Sequence, residues 1–144
     1  MRGLRAAAPL MIALSLLAAP ARAAGPFAEC AGAAPFEVGD RNVIVAPRGD
    51  RLLGLINFAA VLASAPEGER VCRMAATAQA VAAKRLADPA AQRFAQIELI
   101  IALVDNMDEY ARPNYAGMRH LGRITFARSG EGVTATQGAV TLAP

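Results

Sequence analysis

Residues 52–62 read LLGLINFAAVL, a nearly unbroken apolar run whose period determines what kind of fold the chain adopts. Asp50, a favourable N-cap, stands just before it. Leu52, Leu53, Leu55, Ile56, Phe58, Ala59, Val61 and Leu62 would then lie on nearly every side of a helix. A helix of that kind must be surrounded by protein. It is predicted to end near Ser64, where Ala65-Pro66-Glu67-Gly68 supplies turn residues. Gly54 and Asn57 interrupt the run, and it falls short of the roughly 20 apolar residues that cross a membrane.

Working towards the C-terminus, a second helix is predicted over Glu69–Ala87. Glu67 and Glu69 stand near its positive end and Lys84 and Arg85 near its negative end. Val71, Met74, Ala78, Val81, Ala82 and Leu86 form its apolar stripe. Asp88-Pro89 then reads as an N-cap followed by proline at the first helical position, and a third helix is predicted over Pro89–Tyr110. Phe94, Ile97, Ile101 and Val104 mark its inward face, widened by Leu99, Ile100 and Leu103. After Arg112-Pro113 the period changes. Ile124 and Phe126 alternate with Arg123 and Thr125, Ser129-Gly130-Glu131-Gly132 supplies a turn, and Val133-Thr134-Ala135-Thr136 alternates again, which predicts a β-hairpin. Val140 and Leu142 offer one more strand, with the short strand Asn42–Ala46 as its candidate partner. The expected fold is therefore α+β: a three-helix core with a small C-terminal antiparallel hairpin or sheet. It forms one globular domain over residues 24–144, divided into an arm (24–49), a helical core (50–110) and a β-rich tail (121–144).

Towards the N-terminus the chain reads as an export signal. Arg2 and Arg5 precede an apolar run from Leu10 to Ala19, and Ala21-Arg22-Ala23 matches a small-residue cleavage site, so residues 1–23 are expected to be a cleaved signal peptide. The 144-residue chain carries 15 basic and 12 acidic side chains, a formal charge of +3. Arg2, Arg5 and Arg22 account for all of that surplus, so residues 24–144 are neutral and no nucleic-acid partner is expected. Apolar residues make up 55% of the chain, which excludes a disordered protein. Lys84 is the only lysine against many arginines and alanines, a bias that suits a bacterial source. The expected location is periplasmic or secreted. In such an oxidising compartment, Cys30 and Cys72, the only cysteines, are expected to form one structural disulfide. They form no C-x-x-C pair that would signal redox work.

The chemical inventory is thin. His120 is the only histidine, which rules out a multi-histidine metal site within one chain. Ser64 and Ser129 sit in no G-x-S-x-G frame, and there is no phosphate-cradling glycine loop. No cofactor and no metal are expected. Asp105, Asp108 and Glu109 would share one side of the third helix near its C-terminal end, against both mutual repulsion and the macrodipole. They are open to two readings: a weak cation or docking patch, or a solvated helix end with Arg112 four residues after Asp108. The following segment holds Tyr110, Arg112, Tyr115, Arg119 and His120, and connecting loops rich in tyrosine and arginine are common binding surfaces.

The apolar run from Leu52, Val71-Cys72, the close of the second helix on Leu86-Ala87-Asp88-Pro89, and Glu98-Leu99-Ile100-Ile101-Ala102-Leu103 together resemble the small periplasmic immunity proteins that neutralise type VI secretion amidases. The likeness covers under half the chain. It departs from that family in lacking Gly-Tyr pairs in the first helix and a proline after the cysteine, and in adding a hairpin. The expected function is a non-enzymatic module of the envelope that binds a protein or envelope component through Asp105–Arg119. The alternatives are an immunity or inhibitor protein against a periplasm-targeted effector, which the resemblance implies, and a hydrolase using Glu98 or Asp105 with Asp108.

Overall fold

The computed structural model describes residues 25–130 and 132–142; the expected export signal lies outside them. Five strands form one sheet in the order β1-β2-β3-β4-β5: β1 (Val43–Arg48), β2 (Arg51–Asn57), β3 (Gln96–Val104), β4 (Met118–Ser129) and β5 (Gly132–Val140). Among the described residues a single α-helix, α1 (Arg70–Ala87), follows β2, and α1 and the turns around it connect β2 to β3. β2 and β3 run parallel, and the other neighbouring pairs are antiparallel.

The β-branched Val43, Ile44 and Val45 suit β1. Pro47 is tolerated there because β1 is an edge strand and a proline has no N–H to offer a ladder. Gly49, at φ 65°, turns the chain back, so that Arg48 faces Arg51 and Ile44 faces Leu55. The second helix of the sequence reading stands, as α1. Met74, Ala78, Ala82 and Leu86 bury one side of it, as its spacing predicts. They pack on Leu52 and Ile56 of β2, Ile97, Leu99 and Ile101 of β3, Leu121, Ile124 and Phe126 of β4, and Val133 of β5. Each large aliphatic side chain fully buried there contributes roughly 1.5–3 kcal/mol.

The three-helix core does not exist. Leu52–Asn57 is strand β2 and Gln96–Val104 is strand β3. Both are interior strands, hydrogen-bonded to neighbours on each side, with one face under α1 and part of the other under the 105–117 connection, so polar/apolar alternation is confined to Gln96-Ile97-Glu98-Leu99. Without alternation an apolar run fits a buried helix equally well. Asp88 does cap, its side chain accepting the Ala90 N–H at 2.9 Å, but the element it starts is a 3-10 turn, Pro89–Ala91. The hairpin of β4 and β5 forms where the alternation placed it, with Ser129 facing Gly132. Val140 closes β5 against Gly122, at the edge of the sheet opposite β1, so it does not pair with residues 42–46. A sheet-rich fold with one helix fits the α+β expectation only in part.

Cys30 and Cys72 form a disulfide that ties the N-terminal arm to the first turns of α1. Below it, Arg73 donates to the Ala34 and Pro35 carbonyls at 3.0 and 3.2 Å, and its guanidinium lies 4.3 Å from the centre of the Phe36 ring. The buried Thr77 hydroxyl accepts the Phe36 N–H at 2.7 Å. The arm is thereby built into the domain, and Phe36 joins the core edge-on to Phe58.

Candidate functional site

α1 covers one face of the sheet, and the strand register lays out the other face in rows. Ile44, Leu55, Ile100 and Arg123 stand side by side across β1 to β4. The next row is Ala46, Leu53, Glu98 and Thr125, and beyond it lies the Arg48–Arg51 pair. Glu98, its side chain only 13% exposed, is held between two guanidinium groups, Arg51 at 3.5 Å and Arg123 at 2.5 Å. Beside this ion cluster a recess of about 250 Å³ opens over Ile44, Ala46, Leu53, Leu55 and Ile100, with Arg48 and Tyr110 among its walls.

Tyr110 belongs to the connection between β3 and β4, residues 105–117, which folds onto one end of this face. Met107, Tyr110 and Tyr115 pack there against Leu55, Ala102, Val104 and Ile100. The connection is held by its own polar groups. The Asp105 N–H donates to the Gly117 carbonyl, the Asn106 N–H to the Tyr115 hydroxyl and the Asp108 N–H to the Asn106 side chain, each at 2.9 Å. Asn114 takes a left-handed conformation at φ 63°. Gly117 is confined by its neighbours, since a Cβ there would meet the Tyr115 ring and come within 3.0 Å of an Asp105 carboxylate oxygen.

The sequence-predicted residues therefore gather around one loop, but not on a helix. Asp105 and Asp108 are exposed, and Glu109 pairs with Arg112 at 3.2 Å, where Asp108 was the expected partner. The spacing that placed three carboxylates on one helix side has no meaning in an irregular connection. Among the described residues, no three His, Cys, Asp or Glu side chains could hold a metal ion. Tyr110 and Tyr115 cover the sheet and are half-buried. Arg119 and His120 belong to β4, Arg119 donating to the Leu142 carbonyl at 2.8 Å and His120 lying exposed opposite Ala102. Of the carboxylates in the hydrolase reading, Glu98 stands in β3 between Arg51 and Arg123, and Asp105 and Asp108 lie exposed on the 105–117 connection.

Two other recesses lie near the ends of the sheet and under the arm. One, of about 580 Å³, lies at the carboxyl ends of the parallel strands β2 and β3, among Arg41, Asn42, Asn57, Asp105, Asn106 and Asp108. Asn57 is only 6% exposed and fully engaged. Its amide donates to Asn42 and to the Val104 carbonyl, and its oxygen accepts the N–H groups of Ala59 and Val104. The other, of about 540 Å³, lies between the arm, α1 and β5, and among the described residues no ionisable side chain lines it. Sequence reasoning missed Arg48, Arg51, Leu53 and Ile100 as surface residues. Only the strand parity of β1 to β4 reveals that they share a face.

Fold and surface together define a two-layer α/β domain braced by a disulfide, one sheet face closed by a helix and the other half-closed by a single loop. Compared with known proteins, the chain matches no family model, no curated protein and no solved structure. Of the segments that carried the likeness to immunity proteins, the run from Leu52 begins in strand β2 and Glu98–Leu103 lies in strand β3, whereas the helix closing on Leu86-Ala87 is α1.

Proposed function

We propose that residues 24–144 act as an exported, non-enzymatic protein-binding module of a bacterial periplasm, with residues 1–23 removed as the export signal. The half-open sheet face and the adjoining 105–117 connection form its docking surface. One observation carries this reading: Leu53, Ile100 and Ile44 line a recess on a face that α1 does not cover, rimmed by Arg48 and by the Arg51–Glu98–Arg123 cluster. Apolar centres with a charged rim are the anatomy of protein interfaces. The Cys30–Cys72 disulfide suits an oxidising compartment, and among the described residues no helix is long and apolar enough to cross a membrane.

The test is a photo-crosslinking amino acid placed at Leu53, with a control at Lys84 on the far side of the sheet, in cells exporting the protein. A discrete protein adduct from Leu53 and none from Lys84 is expected. No adduct from Leu53, or the same adducts from both positions, would overturn the reading.

A further inference from the structure

Along the strands the half-open face changes both its charge and its height. At one end Arg48, Arg51 and Arg123 outnumber Asp50 and Glu98, leaving a surplus of one positive charge, and the 105–117 connection, seated at the other end, reaches this side only through Tyr110 at the wall of the recess. At the other end, Asp105, Asp108 and Glu109 outnumber Arg41 and Arg112, leaving one negative charge, and the 105–117 connection stands on the sheet there. Six residue steps of β2 from Arg51 to Asn57 separate the two ends, about 20 Å. Between them lies the apolar strip of Ile44, Leu53 and Ile100, each partly exposed, over the buried Leu55.

We infer that the occupant of this face is a second copy of the same chain, related by a two-fold axis lying in the plane of the interface and perpendicular to the strands. This inference rests on the docking surface proposed above and names its partner. That one operation reverses the strand direction. The raised connection of each copy is set over the bare end of the other, each acidic end faces an arginine end, and apolar strip meets apolar strip. An isologous contact has to be complementary to itself under its own symmetry. A face of uniform charge or uniform height would fail that requirement, whereas this one meets it in sign, in shape and in its apolar centre. Arg48, exposed and without an ion-pair partner among the described residues, faces the exposed Asp108 of the second copy.

Sedimentation equilibrium of the purified disulfide-bonded protein tests the inference, with Arg48→Glu and Asp108→Arg as surface variants that leave the core untouched. The wild type is expected to dimerise, and each single reversal to weaken dimerisation at least about tenfold through two like-charge contacts. An equimolar mixture of the two variants is expected to restore wild-type dimerisation, because in the mixed pair both contacts become attractive again. Ile100→Glu is expected to be monomeric, with unchanged circular dichroism. A wild type that stays monomeric, or a dimer indifferent to both reversals and to their mixing, would overturn the inference. If the protein is monomeric while Leu53 still cross-links another protein, the second copy is excluded and the docking surface stands. If it is monomeric and Leu53 yields no adduct, both fail.

Discussion

Asn57 shows how much one side chain organises here. It stands at the last position of β2, and its amide satisfies the Val104 carbonyl and N–H across the strand pair and the Ala59 N–H in the following turn. Replacing it with leucine keeps the volume but strands three backbone groups in a site that is 6% exposed. Asn57→Leu is expected to lower unfolding free energy by about 2–4 kcal/mol in urea titration. A loss below about 1 kcal/mol would mean that water replaces those partners. Gly54 meets a different constraint: a Cβ there would lie 2.7 Å from the Ile44 carbonyl oxygen and 2.9 Å from Leu99 Cδ2. Gly54→Ala is therefore expected to destabilise by about 1–3 kcal/mol, read as a lower denaturation midpoint. For the ion cluster, a double-mutant cycle on Glu98→Ala and Arg123→Ala is expected to give a coupling energy of about 1 kcal/mol, modest because Arg123 is 56% exposed. In the sequence both Asn57 and Gly54 are visible as interruptions of an apolar run. Neither reveals its role there, because the groups it meets lie on other strands.

At the scale of elements, α1 and the hairpin were legible and the two central strands were not. α1 is amphipathic, its stripe of Met74, Ala78, Ala82 and Leu86 facing a sheet on one side and water on the other, so its period survives in the sequence. The β4–β5 hairpin also keeps an exposed side and alternates. β2 and β3 have one face under α1 and part of the other under the 105–117 connection, and outside Gln96-Ile97-Glu98-Leu99 their apolar residues run on without a period. What separates them from helices is the β-branched content of Ile97, Ile100, Ile101 and Val104, whose stiff side chains favour a pleated backbone. The disulfide, in contrast, was readable from cysteine count and context. Closing 42 residues of chain, it is expected to contribute about 4 kcal/mol by restricting the unfolded state. Reduction, or Cys30→Ser with Cys72→Ser, is accordingly expected to lower Tm by roughly 10–20 °C in calorimetry. An unchanged Tm would show that Arg73 and Phe36 secure the arm unaided.

At the scale of the whole molecule, the proposed export signal and the surface that arises on folding are tested separately. If residues 1–23 direct export, the protein recovered from a periplasmic fraction is expected to begin at Ala24, measured by intact mass and N-terminal sequencing. An intact Met1 in that fraction would contradict the cleavage. The charge balance follows the same division: the three surplus arginines belong to the N-terminal segment, and the remainder is neutral but sorted along one sheet face. The sequence by itself determined the disulfide pair, the one amphipathic helix, the β4–β5 hairpin and the absence of a multi-histidine site. These depend on residue types, on counts, and on patterns exposed to water on one side. Tertiary structure alone decided that residues 52–57 and 96–104 are strands and that Arg48, Arg51, Leu53, Ile100 and Arg123 share a face. That neighbourhood is set by hydrogen-bond register between segments far apart in the chain, and no local period encodes it.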